Sequence, residues 1–510
     1  MKIHFFIKKG LLCLFLLQLY SCKKEKLHDG EIKEPVVEIP RDSILASDTL
    51  SIRIDLNNSN GSKCERLDGL GGDLSVHRIF SGIKLCNLNV KSGSTDIIYA
   101  DNPNFRRDGS AGDVMVEIPK IYFRRYIQNN FEYMSLSLVP RLGYELDPAF
   151  LEEGNELDKI YVGVYDGFVN SNKLYSKSGI IPSATYNVTQ YREFATNKGQ
   201  GYGILDARTL FLLQRLFMAY YADRNSQQTL GLGIVNLFFQ TTSMVLAQES
   251  SNLSNSIIVS YPSNYPRQFH VKQKCSVASY GEYFLEDIRE ITAIKEISKN
   301  RYEISFSGSP IPIIRGVSKI YGQRQETGLT DNVPHMNGNS SIFDKDPLNG
   351  FEAVKFLHME NLWGNVWNML DGIVLKDLKM YIGENMKDYS SSPAVINKYY
   401  KLEYDIPYQP DNKQDAAEES VAYVSRMGYD AKRPGYIVPH KIGANAGPNQ
   451  GYGDPFYSKN DAGAIYFPSF GGGYDHTFRC GLFTLRFFWN SNTVFKTLHS
   501  ARLIYKPLTN

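Results

Sequence analysis

The spacing of apolar and polar residues predicts a chain built largely from short β-strands. Ile52–Leu56 alternates apolar and polar positions, which is the pattern of a half-buried strand. Val114–Arg124 alternates in the same way on both sides of Pro119, which favours an edge strand or a bulge there. Residues 265–325 are again strand-like and suggest a β-rich insertion, with three candidate strands at Phe269–Lys272, Ile288–Ile297 and Arg301–Phe306.

Two segments have helical spacing instead. Val188–Asn197 follows the cap residue Asn187 and stops before Gly199. Asp206 is the expected cap of a second helix, Ala207–Asp223, whose leucines and aromatics are spaced to form one buried face. Such a stripe indicates core packing rather than a cofactor site.

The N-terminus resembles the leader of a bacterial lipoprotein. Three lysines precede a short apolar run, and Leu19-Tyr20-Ser21-Cys22 resembles the motif in which the cysteine becomes the acylated N-terminus. We therefore expect residues 1–21 to be a signal peptide, Cys22 to carry the lipid, and residues 22–50 to be a flexible tether. The charged residues after Cys22 favour a lipid-anchored protein of the bacterial outer membrane, exposed at the cell surface.

Composition narrows the range of partners. The 510 residues carry 56 basic and 54 acidic side chains, and removal of residues 1–21 would leave 53 against 54. A chain this close to neutral lacks the positive surface that nucleic-acid binding requires, so no nucleic-acid partner is expected. Four cysteines would remain, Cys64, Cys86, Cys275 and Cys480; their wide spacing excludes a local zinc knuckle and leaves their pairing open.

A tryptophan-rich stretch in the second half of the chain is expected to define the core of the fold. It runs from Glu360 to Gly372 and contains Glu360, Asn361, Trp363, Gly364, Asn365 and Trp367. The two tryptophans are four residues apart, which predicts that they stack on one face of a short junction. Glu360 and Asn361 are expected to accept hydrogen bonds from backbone amides of nearby loops.

The C-terminal segment 471–505 has neither helical nor strand periodicity at its start. Gly471-Gly472-Gly473, Gly481-Leu482-Phe483 and Ala501-Arg502-Leu503 look like a framework. Large aromatic side chains mixed with small polar ones lie between them, as at binding surfaces. An ordinary core hairpin is the alternative interpretation.

These segments together resemble a known family. The C-terminal framework, the tryptophan stretch and Asp113–Tyr122 resemble the variable proteins diversified by retroelements and the related phage tail-fibre receptor-binding proteins. That resemblance implies an α+β, C-type-lectin-like fold, also found in formylglycine-generating enzymes, for residues 51–510. It also implies a diversified ligand-binding surface. The residues that such diversification could reach, and that would bind a protein or glycan ligand, are Tyr474, Asp475, His476, Thr477, Phe478, Arg479, Phe487, Phe488, Asn490, Asn492, Phe495 and His499.

Motifs of catalysis are sparse in the sequence. The enzymes with this fold use a C-terminal cysteine pair or clustered histidines, whereas this segment has Cys480 alone and the nine histidines are scattered. No catalytic residue, metal or cofactor is therefore expected. A surface-displayed ligand-binding adhesin is the leading hypothesis; an enzyme of the formylglycine-generating fold and a non-variable prophage-type structural adhesin remain alternatives.

Overall fold

The computed structural model describes residues 47–508, except 59, 92–93, 238–245, 261–268, 283–284, 410–421, 445–449, 476–478 and 494–497. It is mainly β-sheet, with 40% strand and 11% helix, which fits the expected α+β class. No helix in these described ranges has the length and apolar character needed to cross a membrane. The predicted signal peptide, Cys22 and most of the tether lie outside the described residues.

Both predicted helices are confirmed within two residues of their expected ends. The described α-helices are α1 (Arg78–Ser81), α2 (Val188–Thr196), α3 (Ala207–Tyr221) and α4 (Ser226–Leu230). Asn187 and Gln190 close a reciprocal capping box at α2, and the carboxylate of Asp206 accepts from the backbone N–H of Thr209 at 2.8 Å at α3. Short 3₁₀ turns occur at Pro148–Phe150, Pro347–Asn349, Met386–Asp388 and Pro393–Asn397.

The strands of the N-terminal half and of the insertion come first in the chain. They are β1 (Thr49–Asp55), β2 (Glu65–Arg66), β3 (Lys84–Lys91), β4 (Ser94–Tyr99), β5 (Asp113–Pro119), β6 (Tyr122–Gln128), β7 (Phe131–Ser137), β8 (Glu145–Leu146), β9 (Leu151–Glu152), β10 (Asn155–Glu156), β11 (Lys159–Gly163), β12 (Phe168–Asn170), β13 (Lys173–Tyr175), β14 (Tyr202–Ile204), β15 (Ser251–Ser254), β16 (Ser256–Ser260), β17 (Lys274–Ala278), β18 (Arg289–Ser298), β19 (Arg301–Phe306), β20 (Ile311–Ile313) and β21 (Lys319–Gly322). Most of them form two five-stranded sheets and, with one strand from the C-terminal end, a six-stranded sheet.

Most of the remaining strands form one eight-stranded sheet, which we call the C-terminal sheet. They are β22 (Gly338–Asn339), β23 (Val354–Phe356), β24 (Met359–Glu360), β25 (Trp367–Met369), β26 (Ile373–Lys376), β27 (Lys379–Ile382), β28 (Tyr400–Asp405), β29 (Ala422–Met427), β30 (Pro439–Ala444), β31 (Phe456–Ser458), β32 (Ile465–Gly471), β33 (Gly481–Trp489), β34 (His499–Ala501) and β35 (Leu503–Tyr505). The C-terminal strand β35 pairs back with β11 and β14, so the end of the chain completes a sheet begun in the first half.

The alternating segment around Pro119 forms two strands rather than one. β5 lies inside the sheet β14-β35-β11-β5-β3-β4, whereas β6 belongs to the sheet β2-β1-β7-β6-β8. Residues 113–118 of β5 are all buried, since a central strand is covered on both faces. Pro119 therefore marks the point where the chain changes sheets.

The segment that was expected to be a β-rich insertion forms a sheet, and this sheet begins before residue 265. The sheet has the order β16-β19-β18-β17-β21 and surrounds a separate apolar cluster that extends from Ala247 to Ile320. Arg301–Phe306 is a strand with exactly the expected bounds. The predicted strand at Phe269–Lys272 is wrong: this segment is a turn, and Lys272 has the left-handed φ of +75°.

The main apolar core joins the N-terminal sheet, helix α3 and the C-terminal sheet. Helix α3 is buried along nearly its whole length, from Ala207 to Tyr220. Phe217 shows how the parts meet, because its ring packs against Trp363 and Phe483 at centroid distances of 6.4 and 6.3 Å. This core covers one face of the C-terminal sheet.

Candidate functional site

Strand β33 has two chemically different faces. Phe483, Leu485 and Phe487 point into the main apolar core. Thr484, Arg486 and Phe488 alternate with them and therefore lie on the opposite face. Phe487 and Phe488 were both predicted to belong to the ligand-binding surface, but as neighbours in a strand they lie on opposite faces of it.

Neighbouring strands extend the second face. Arg486 is paired with Ser469 on β32 and with Tyr457 on β31, and Trp367 on β25 is paired with His499 on β34. Directly paired residues share a face of a sheet. We call the following set the outer layer: Trp367, Tyr457, Ser469, Thr484, Arg486, Phe488 and His499. All seven are at most 8% exposed.

Arg486 lies at the centre of the outer layer among aromatic rings. Its guanidinium carbon is 5.1 Å from the ring centroid of Phe488, 5.6 Å from that of Trp367 and 5.9 Å from that of Tyr457. The imidazole of His499 stacks on Trp367 with centroids 6.1 Å apart and planes inclined by 15°. These contacts hold a planar cation in one position by cation–π attraction.

Two buried hydroxyls in the outer layer make no hydrogen bond to any described residue. They are Oγ of Ser469 and Oγ1 of Thr484, and both residues are fully buried. A buried hydroxyl that makes no hydrogen bond costs roughly 1–3 kcal/mol. Two such groups in one sheet face are unusual enough to require a reason.

Half-exposed and exposed polar residues flank β33 at its two ends. Asp475 and Arg479 belong to the loop between β32 and β33, whereas Asn490 and Asn492 follow the other end of the strand. Gly473 connects the first loop to the outer layer, since a Cβ added there would lie 3.0 Å from Cδ1 of Trp367. Eight residue steps along β33 amount to about 26 Å, so these loops lie at opposite ends of a long strip.

The expectation that the predicted ligand-binding aromatics share one exposed face is wrong. Tyr474 is fully buried in a cluster with Tyr321 and Phe351, where it joins the C-terminal hairpin to the insertion. Phe487 is fully buried in the main core, against Phe456 at 6.1 Å. Phe488 and His499 are buried within the outer layer. The physical reason is that these residues pack against different parts of the molecule: Tyr474 against the insertion, Phe487 in the main core, and Phe488 and His499 within the outer layer.

The other predicted ligand-binding residues divide into two groups. Asp475 and Arg479 are half-buried, and Asn490 and Asn492 are exposed, in agreement with a surface position. His476, Thr477, Phe478 and Phe495 lie outside the described residues.

The tryptophan stretch packs as core, as predicted, but its two tryptophans do not share a face. Trp363 lies in the main core and donates from Nε1 to the carbonyl of Gly231 at 3.0 Å. Trp367 belongs to the outer layer. The turn between them places Gly364 at φ +83°, where an added Cβ would lie 2.6 Å from the backbone nitrogen of Ile234. This close approach explains why the turn requires glycine.

Glu360 accepts hydrogen bonds from backbone N–H groups of a neighbouring loop, as predicted. The same prediction for the side chain of Asn361 is wrong. The carboxylate of Glu360 accepts from the backbone N–H groups of Gly328 at 2.9 Å and Thr330 at 2.7 Å. Burial raises the pKa of Glu360 to about 7. The side chain of Asn361 has no hydrogen-bond partner, and its backbone instead takes the left-handed φ of +49°. The side-chain oxygen of Asn365 accepts from the N–H of Gln325 at 2.7 Å.

A second buried carboxyl supports the loop before β33. Asp454 is fully buried and accepts from the backbone N–H of Phe483 at 2.6 Å and from Nε2 of Gln227 at 3.0 Å. Burial raises the pKa of Asp454 to about 8. Sequence patterns do not reveal this group, because Asp454 lies in a loop that contains glycine and proline.

The four cysteines offer no redox pair. Cys64, Cys86, Cys275 and Cys480 are all free and buried. Burial raises the pKa of the Cys480 thiol, which donates to the carbonyl of Leu232 at 3.0 Å. Across the part of the chain that the structure describes, no three His, Cys, Asp or Glu side chains are grouped to hold a metal ion.

The arrangement of the outer layer suits recognition by hydrogen bonding and aromatic contact. Four residues of the outer layer were not singled out from the sequence: Tyr457, Ser469, Thr484 and Arg486. The alternation of apolar and polar residues over 483–488 could have revealed the last two. The family suggested by the sequence motifs remains a prediction. A scan against models of known protein families finds no match for this chain, and a search of curated proteins finds none either.

Proposed function

We propose that this protein is a surface-displayed lipoprotein that binds a protein or glycan ligand through a C-type-lectin-like domain. The observation that carries the proposal is the outer layer. A sheet face buried in a protein is normally apolar, yet this one holds an arginine, a histidine and two hydroxyls. The two hydroxyls make no hydrogen bond to any residue that the structure describes. Polar groups retained at such a cost are typical of binding sites.

The composition of the strip supports recognition rather than catalysis. Arginine, tryptophan and tyrosine are the residues that most often dominate binding energy, and here Arg486 is held by rings of both aromatic types. Small polar residues at the loops, such as Asn490 and Asn492, provide adaptable hydrogen bonds. In this proposal the buried aromatics position the binding groups and the loops provide the variable contacts.

The proposed diversification has a direct genetic test. Codons 475–479, 490, 492 and 495 should lie in a DNA segment that has a near-copy beside the gene, differing mainly at adenines, together with a reverse transcriptase. Sequences from many cells should then differ in these codons and agree at Gly481-Leu482-Phe483. Uniform sequences without a near-copy would support the non-variable adhesin instead.

The proposed binding site is tested by removing one of the two hydroxyls that make no hydrogen bond to a described residue. Thr484→Val keeps the shape of the side chain and removes a buried hydroxyl that makes no hydrogen bond, so we expect unchanged or slightly higher stability. If the hydroxyl serves a ligand, the same variant should weaken binding to hits from a glycan array and from a displayed peptide library. Asp475→Ala and Asn492→Ala should weaken binding as well.

A matched control separates binding from packing. Thr209 on α3 is also fully buried and its Oγ1 also lacks a partner, but it lies outside the outer layer. Thr209→Val should therefore change stability in the same direction and leave binding unaltered. Equal binding by wild type, Thr484→Val and both loop variants would refute the proposed site.

A further inference from the structure

A second site lies apart from the outer layer, in a cavity of about 250 Å³. The turn after β1, strand β7, the loop after α3 and the hairpin of β29 and β30 enclose it. Its charged lining residues are Asp55, Glu132, Arg224, Arg426 and Lys441. The cavity is small and mostly polar, which suits a small hydrophilic ligand.

The charge of this cavity is positive. Three cations face two carboxylates, and one of these carboxylates is already neutralised from outside the cavity. Arg125 donates from Nε to the carboxylate of Glu132 at 2.6 Å, and both side chains are buried. Asp55 accepts from the backbone N–H of Asn57 at 2.9 Å. The cations therefore exceed the carboxylates that are available to them.

Arg224 is held rigidly at the wall of the cavity, and within the part of the chain that the structure describes no carboxylate pairs with it. The residue is only 3% exposed, and its guanidinium carbon lies 5.2 Å from the ring centroid of Tyr452. Its Nη2 donates to the backbone carbonyls of Asn58, at 3.1 Å, and Gly61. Its Nε is buried and has no hydrogen-bond partner. The adjacent Asp223 is already paired with Lys63 at 2.7 Å.

A buried guanidinium without a counter-ion is unfavourable, so the arrangement favours an anion from outside. The planar fork of an arginine matches the oxygens of carboxylate, phosphate and sulfate groups. Arg426 and Lys441 come from the two strands of one hairpin and add positive charge beside Arg224. We propose that this cavity binds a small hydrophilic oxyanion, such as a sugar acid or a sugar phosphate, through Arg224, Arg426 and Lys441.

The test is isothermal titration calorimetry of the purified full-length protein. The probes are inorganic phosphate, glucose 6-phosphate, glucuronate and neutral glucose. We expect the anions to bind and glucose not to bind. Stronger binding of glucuronate identifies a carboxylate site, and stronger binding of phosphate or glucose 6-phosphate identifies a phosphate site.

Variants connect binding to the cavity. Arg426→Gln and Lys441→Gln alter side chains that are half-buried and exposed, so they leave the fold intact, and each should weaken anion binding about tenfold through loss of a charge-assisted hydrogen bond. Lys401→Gln, at an exposed position of β28 outside the cavity, is the matched control and should bind like wild type. The absence of anion binding at millimolar concentration, or equal affinity in wild type and both cavity variants, would overturn the proposal. Either result would leave the outer-layer proposal unaffected, since that site shares no residue with this one.

Discussion

The clearest quantitative prediction concerns the buried carboxyl of Asp454. This group lies beside Gly481, accepts from the N–H of Phe483 and from the side chain of Gln227, and has no exposed surface. Burial raises the pKa of Asp454 to about 8 because the charged form loses its hydration. Asp454→Asn replaces the group with a neutral side chain of the same shape.

The sign and size of the effect follow from proton linkage. An aspartate in the unfolded chain has a pKa of about 3.9. Between that value and about 8, folded Asp454 binds a proton that the unfolded chain has released. The free energy of unfolding therefore falls as pH rises, by about 1.4 kcal/mol for each pH unit. From pH 5 to pH 7 wild type should lose about 3 kcal/mol through this group, whereas the asparagine variant should not.

The assay is denaturant unfolding of both proteins at pH 5 and pH 7, with tryptophan fluorescence as the signal that reports unfolding. The stability of Asp454→Asn relative to wild type should rise by about 3 kcal/mol between the two pH values. The raised pKa of Glu360 acts in the same direction, but it is present in both proteins and cancels in the comparison. Asn492→Ala, at an exposed position, removes no titratable group, so its stability relative to wild type should be the same at both pH values. A stability difference between Asp454→Asn and wild type that is the same at pH 5 and pH 7 would refute the reasoning.

Two further predictions concern packing and location. Trp363→Ala and Phe487→Ala should each lower the free energy of unfolding by about 3–5 kcal/mol, since both side chains are fully buried, while the exposed Asn492→Ala should change it by less than about 0.5 kcal/mol; a small loss for Phe487→Ala would contradict its place in the core. Cys22→Ala should move the protein from the membrane fraction to the soluble fraction, because a lipid chain contributes about 0.8 kcal/mol for each buried CH₂ group. Continued membrane association of Cys22→Ala would contradict lipid anchoring at this cysteine.

Local signals predicted the helices and some strands accurately. Asn187 and Asp206 are visible in the sequence as caps, and capping depends on residues only two or three positions away. Arg301–Phe306 alternates cleanly and pairs with an adjacent strand across a short turn. The prediction of a strand at Phe269–Lys272 was wrong because the alternation is only four residues long and Lys272 adopts a turn conformation.

The candidate site was predicted in part. The C-terminal segment and Trp367 were singled out from the sequence, whereas Tyr457, Ser469 and Arg486 come together only through strand pairing. Ser469 and Arg486 are cross-strand partners across a hairpin, whereas Tyr457 reaches Arg486 through a parallel pairing with a distant part of the chain. The cavity around Arg224 was missed entirely, since its residues are spread from Asp55 to Tyr452.

By itself, the sequence determined the helices with their caps, the β-rich character and the burial of Trp363, since these depend on local spacing and on side-chain hydrophobicity. Tertiary structure alone decided which face of β33 enters the core and that Tyr474 and Phe487 are buried. It also decided where the cations of the cavity meet. The reason is physical: alternation gives a strand two faces, but only its neighbours in the sheet and the layers packed on it determine which face is covered.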